Sequence, residues 1–197
     1  MKLIQYASLA LCCYSSTAAF GEGWHPEEAR QDWGSFALGF ASGLAGHELG
    51  HYLVATSKGY RVSHTGLSIV YPGAQFTPSD QLQVASAGFQ MQWIMSELAL
   101  RSTGNGQASS PGNFGAGIVC SHLAITYAYL VYLKDHQLGD VAGIAQATGR
   151  SRNQIAIALS VPATLDAWRL FGDSVPDWVP GVSLFSKGLG IAWAWQY

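Results

Sequence analysis

The sequence predicts an all-α polytopic membrane protein with a short β segment after the first span, and three observations carry that expectation. Charged residues are 11% of the 197-residue chain and hydrophobic residues 49%, where soluble domains carry about a quarter charged. Gly34 to Ser57 holds no Lys, Arg or Asp, its one formal charge is Glu48, and it is long enough to cross a bilayer. Apolar runs at 82–101 and 113–133 repeat that character. The formal charge of -2, with no basic block, argues against a nucleic-acid partner. The length suggests one integral membrane domain, 20–197, with neither repeats nor a second domain.

The chain opens with Lys2, an apolar core from Leu3 to Cys13 and the small residues Ser15 to Ala19. This pattern predicts a signal peptide over 1–19 cleaved near Phe20, the competing reading being an uncleaved first anchor. Cys12 and Cys13 fall in that segment, so the mature chain keeps Cys120 alone and forms no internal disulfide. Gly21 to Asp32 is polar and reads as a short exported segment or interfacial helix, with Trp24 and Trp33 at the membrane interface.

The first span, 34–57, carries His47-Glu48-Leu49-Gly50-His51. Histidines four apart lie one above the other on a helix face, where their imidazoles converge on one ion. This is the H-E-x-x-H zinc spacing. A catalytic zinc takes three protein ligands and leaves a position for water, and Glu48, one residue after the first ligand, becomes the candidate general base. The competing reading is a chance match, which the uncharged setting disfavours because ionisable groups in such a run are costly. Gly39, Gly43, Gly46 and Gly50 form small-xxx-small pairs that admit close helix neighbours.

With its H-E-x-x-H inside an apolar helix, the chain resembles the site-2 type of intramembrane zinc metalloprotease. The resemblance covers about residues 34–145 and implies Zn2+ as cofactor, a membrane protein or peptide as substrate and the lipid bilayer as surroundings. Residues 60–76 read as short strands broken by Thr65-Gly66 and Pro72-Gly73, similar to the β segment with which that family pairs extended substrates. An ordinary loop hairpin explains them as well. In the second span, 82–101, Ala87-Gly88-Phe89-Gln90-Met91-Gln92 looks like a variant of the family's Ala-Gly-Pro-x-x-Asn motif, with Phe89 for proline and Gln92 for asparagine. Gln92 is the candidate substrate-binding residue, holding a substrate carbonyl or an oxyanion. Gln90 and Gln92 bonding neighbouring helices is the open alternative.

The third span, 113–133, ends in Tyr127, Tyr129 and Tyr132, an interfacial belt. A re-entrant or short helix over 140–149 follows. Residues 154–171, interrupted by Pro162 and Asp166, form a kinked span or lateral helix, and 182–197 ends in Trp193, Trp195 and Tyr197 as an interface anchor. Loops with Lys58, Arg61, Lys134, Arg150 and Arg152 are placed in the cytoplasm and the sparser Arg101 and Arg169 outside. The chain is thus expected as a multi-pass protein of the bacterial inner membrane with its N-terminus exported.

Two histidines do not complete a catalytic site. At 1.5 Å per residue an ion at His47 and His51 lies about 23 Å into the first span. Glu97 misses that level by about 16 Å and His122 by about 10 Å, whereas a modest dip after the cytoplasmic link brings Asp140 to it. The resemblance also points to Asp140, since the family's third ligand is the aspartate of Leu-Asp-Gly. Here the order is Leu138-Gly139-Asp140. The expected metal set is His47, His51 and Asp140, with His122 and then His136 as alternatives. The expected activity is intramembrane zinc endopeptidase, with Glu48 passing a proton from water to the leaving amine. The rival reading is a non-catalytic membrane scaffold or transporter-like protein whose histidines bind metal or pack helices.

Overall fold

The computed structural model describes residues 23–66, 68–101, 111–136 and 138–197; the signal-peptide reading lies outside them. Seven helices and one hairpin follow in order: α1 (Pro26–Ala29), α2 (Trp33–Ser57), β1 (Ser63–Thr65), β2 (Ser68–Val70), α3 (Pro78–Arg101), α4 (Asn113–Val131), α5 (Asp140–Thr148), α6 (Arg152–Phe171) and α7 (Trp178–Gln196). A 3₁₀ turn, Leu133–Asp135, links α4 to α5.

Local chemistry sets the helix ends. The Asp32 side chain accepts from the Ser35 N–H at 3.0 Å and caps α2. Ser151 and Gln154 form a capping box at the start of α6. Gly149, in the left-handed region at φ 68°, closes α5.

Helix α2 is the centre of the molecule, packed on α3 and α4. Its buried positions, Gly39, Gly43, Gly46, His47, Gly50, His51 and Ala55, recur at three- and four-residue intervals and so share one face. Glycine is required there because the neighbours are backbone: a Cβ on Gly39 would meet the Phe114 carbonyl, and one on Gly50 the Ala87 carbonyl. Behind α2, one apolar core joins Trp24, Val119, Leu123 and Leu170. A second joins Leu82, Phe89, Trp93, Val141, Ile144 and Leu159, fixing α5 and α6 against α3.

This architecture corrects the predicted fold class. Among the described residues only Asn113–Val131 is long and apolar enough to cross a membrane, so the polytopic arrangement with spans at 34–57 and 82–101 is not what forms. Buried polar residues account for α3: Gln83, Ser86, Gln90, Gln92, Ser96 and Glu97 all point inward. The helicity of the expectation survives, as does the hairpin after the first long helix.

Related corrections follow. Trp24 is buried, stacks on Phe36 with ring centroids 5.4 Å apart and donates to Asn113 at 2.9 Å, so it is a core residue rather than an interface anchor. Arg169, read as an exported loop charge, belongs to a buried ionic cluster on α3, α6 and α7. There Arg169 meets Glu97 at 2.7 Å, and Lys187 meets Glu97 at 3.0 Å and Asp166 at 2.7 Å. Ser96 and Ser183 also donate to Asp166, at 2.8 and 2.6 Å. Two carboxylates face Arg169 and Lys187, and half-exposed Arg101 also meets Glu97 at 2.7 Å, which is how buried charge is tolerated. Pro162 sits inside a continuous α6.

Candidate metal centre

His47 and His51 stand on the buried face of α2, and Asp140 opens α5. Their ligand atoms converge. His47 Nε2 lies 2.9 Å from Asp140 Oδ2, His51 Nε2 3.2 Å from Asp140 Oδ1, and the two Nε2 atoms are 3.2 Å apart. Ligands on a tetrahedral ion with bonds of about 2.0–2.1 Å stand about 3.3 Å from one another, so the spacing suits zinc.

The surroundings fix which imidazole nitrogen carries hydrogen. His51 Nδ1 faces the Val84 carbonyl at 2.7 Å, which only accepts, and His47 Nδ1 faces Gln92 Oε1 at 3.1 Å. Both Nδ1–H groups therefore donate outward, and both Nε2 atoms point at the same place, where a neutral imidazole offers a lone pair. Two lone pairs and a carboxylate at such range repel unless a cation or proton lies among them. The electrostatics agree. Burial disfavours a charged His51 imidazole, but Asp140's charge and hydrogen bond outweigh it and push His51 up to about 9. Burial likewise disfavours the Asp140 carboxylate, but His51 and His47 hold it well below the usual carboxylate range.

Gly88 leaves the space. A Cβ there would lie 2.5 Å from Nε2 of both histidines, so α3 must present a bare backbone to the pair. Phe89 closes the same side, its ring edge-on to His47 at 5.4 Å. Asp140 is steered by Tyr129, whose hydroxyl accepts the Asp140 N–H at 3.1 Å, and by Gly139, whose φ of 155° turns the chain into α5.

The remaining sequence candidates separate clearly. Glu48 is next to the cluster but bonds elsewhere, accepting the Ile69 N–H at 3.0 Å on Oε2. Gln92, expected to face substrate, instead supports His47. Its Nε2 has no partner. His122, fully buried, bonds Thr126 at 3.3 Å and faces Asp166 at 3.9 Å, outside the cluster. His136 is exposed beside Tyr132, and Glu97 belongs to the ionic cluster.

Sequence assigns no place at the metal centre to Gly88, Tyr129 or the Val84 carbonyl, although Gly88 lies in the Ala87–Gln92 motif. Sequence groups Tyr129 with an interfacial trio, although its two-residue spacing from Tyr127 puts it on another helix face. Backbone acceptors such as Val84 leave no sequence signal. The fold and site together define a helical protein with a candidate mononuclear His-His-Asp centre. Comparisons with protein-family models, with characterised proteins and with solved structures gave no match.

Proposed function

We propose that this protein is a zinc-dependent endopeptidase of the site-2 type, cutting membrane-embedded or membrane-proximal peptides. The observation that carries the reading is the convergence of the two Nε2 atoms and the Asp140 carboxylate at tetrahedral spacing beside Glu48. A zinc ion bound there supplies Lewis acidity and brings the pKa of water toward neutrality. His47, His51 and Asp140 hold it, and Gln92 and Val84 orient the two imidazoles. Glu48 takes the proton from attacking water and returns it to the leaving amine.

Association with a bacterial inner membrane, the N-terminal side exported, is part of this proposal. It is supported by the apolar α4 and by large apolar side chains exposed on α2 and α7, among them Leu38, Leu53, Phe185 and Leu189. The test combines metal analysis of purified protein with hydrolysis of a generic transmembrane peptide. Stoichiometric zinc with activity lost in Glu48→Gln supports the reading; absence of bound zinc after reconstitution rejects it. The non-catalytic alternative is favoured by one observation, the ion pair that His51 and Asp140 make on their own. It predicts zinc binding or none, with no hydrolysis in either case.

A further inference from the structure

The hairpin beside the site uses its open edge in an unusual way. Ser63 pairs with Val70, His64 with Ile69 and Thr65 with Ser68, two residues separating the strands. Residues flanking such a turn exchange the ladder bonds, so by alternation His64 and Ile69 form the non-bonded pair and their N–H and C=O groups point outward. The outward Ile69 N–H is the group bonded to Glu48 Oε2 at 3.0 Å. The edge that would receive an extended substrate is thus occupied at its centre by the general base itself.

The base of the hairpin is held while its tip is exposed. Lys58 and Tyr60 bond Asp80 at 2.6 and 2.8 Å, and Phe76 packs between Tyr60 and Tyr71. Ser63, His64 and Thr65 are exposed. Tyr71, two residues beyond Ile69, is near enough to the site that, after burial, the charges of Asp140 and Glu48 push its phenol up.

We infer that the Ile69 N–H is a latch on Glu48 that an extended peptide releases: by adding to the outer edge of β2, a substrate carbonyl takes this N–H and frees the carboxylate to act as base. The inference rests on the endopeptidase reading and deepens it. It makes the enzyme selective for chains long enough to pair as a strand, because a short substrate meets a Glu48 still held by β2.

The experiment compares hydrolysis of an extended eight-residue fluorogenic peptide with that of a blocked dipeptide, using zinc-loaded protein. Ile69→Pro removes the N–H and Ile69→Ala retains it. The expected result for Ile69→Pro is a drop of about tenfold or more in kcat/KM for the long peptide and a several-fold rise for the dipeptide. Ile69→Ala keeps the wild-type ratio between the two. Equal changes for both substrates in Ile69→Pro would overturn the latch, since an N–H that only positions Glu48 affects both alike. Amide hydrogen exchange supplies a readout independent of turnover and of folding of the proline variant. Protection at Ile69 should be lost in Glu48→Ala and regained on adding the long peptide but not the dipeptide; protection that the long peptide does not restore would overturn the proposal. Zinc content and turnover of the unmodified protein judge the endopeptidase reading separately.

Discussion

Four substitutions, one of them a control outside the cluster, divide the work of the site. Glu48→Gln should keep zinc and lose hydrolysis by roughly 10²–10⁴-fold, because glutamate is the base and not a ligand. Asp140→Asn should weaken zinc strongly, whereas His122→Ala, outside the cluster, should leave the metal in place; the reverse pattern by metal analysis would reassign the third ligand. Gly88→Ala is the sharpest case. Its new methyl would press on two imidazole tips rather than on backbone, and side-chain tips can swing away. The cost should therefore appear as at least a tenfold loss of zinc affinity with a small change in melting temperature.

On the scale of elements, α2 is both the metal-bearing helix and the one its neighbours approach most closely. Gly50→Ala brings a methyl against the Ala87 carbonyl. A rigid backbone neighbour leaves displacement of α3 as the only relief, so the expected loss is about 2–3 kcal/mol in denaturant unfolding. Gly34, in the first turn of the same helix, meets nothing closer than Asp32 Oδ1 at 3.8 Å. Gly34→Ala should be neutral or stabilising by up to about 1 kcal/mol through lower unfolded-chain entropy. Equal losses at both positions would mean that helix propensity rather than packing controls α2.

Across the whole molecule, the ionic cluster ties α3, α6 and α7 together and gives the fold a pH dependence. Burial opposes the Glu97 carboxylate, but Arg169 and Lys187 hold its pKa at about 2, below the ordinary 4.5. A folded pKa below the unfolded one means that the stabilisation is complete above about pH 4.5 and is lost as pH falls toward 2. The expected loss is on the order of 2 kcal/mol between pH 6 and pH 3, read as a shift of the denaturation midpoint. Glu97→Gln should flatten that dependence. Lys187→Met should cost about 3 kcal/mol or more, since it leaves buried Asp166 sharing the Arg169 guanidinium with Glu97, while Arg101 reaches Glu97 alone.

Spacing alone determined much of this protein. The four-residue interval of His47 and His51 placed both rings on one face because helix geometry is local, and the same periodicity marked the glycine stripe of α2 as an interface. The hairpin and the short helix beginning at Asp140 were legible from glycine, proline and capping chemistry, which also act over a few residues. Sequence offers Asp140 as the third ligand beside His122 and His136, and the tertiary structure sets its carboxylate against His47 across 93 positions of chain, with Gly88 opposite. It also decided that the polar residues of α3 face inward, which replaced the predicted spans with a packed helical core. Composition averages over both faces of a helix, whereas burial depends on what each face meets, and for Glu97, Asp166 and Lys187 the partners lie on helices distant in sequence.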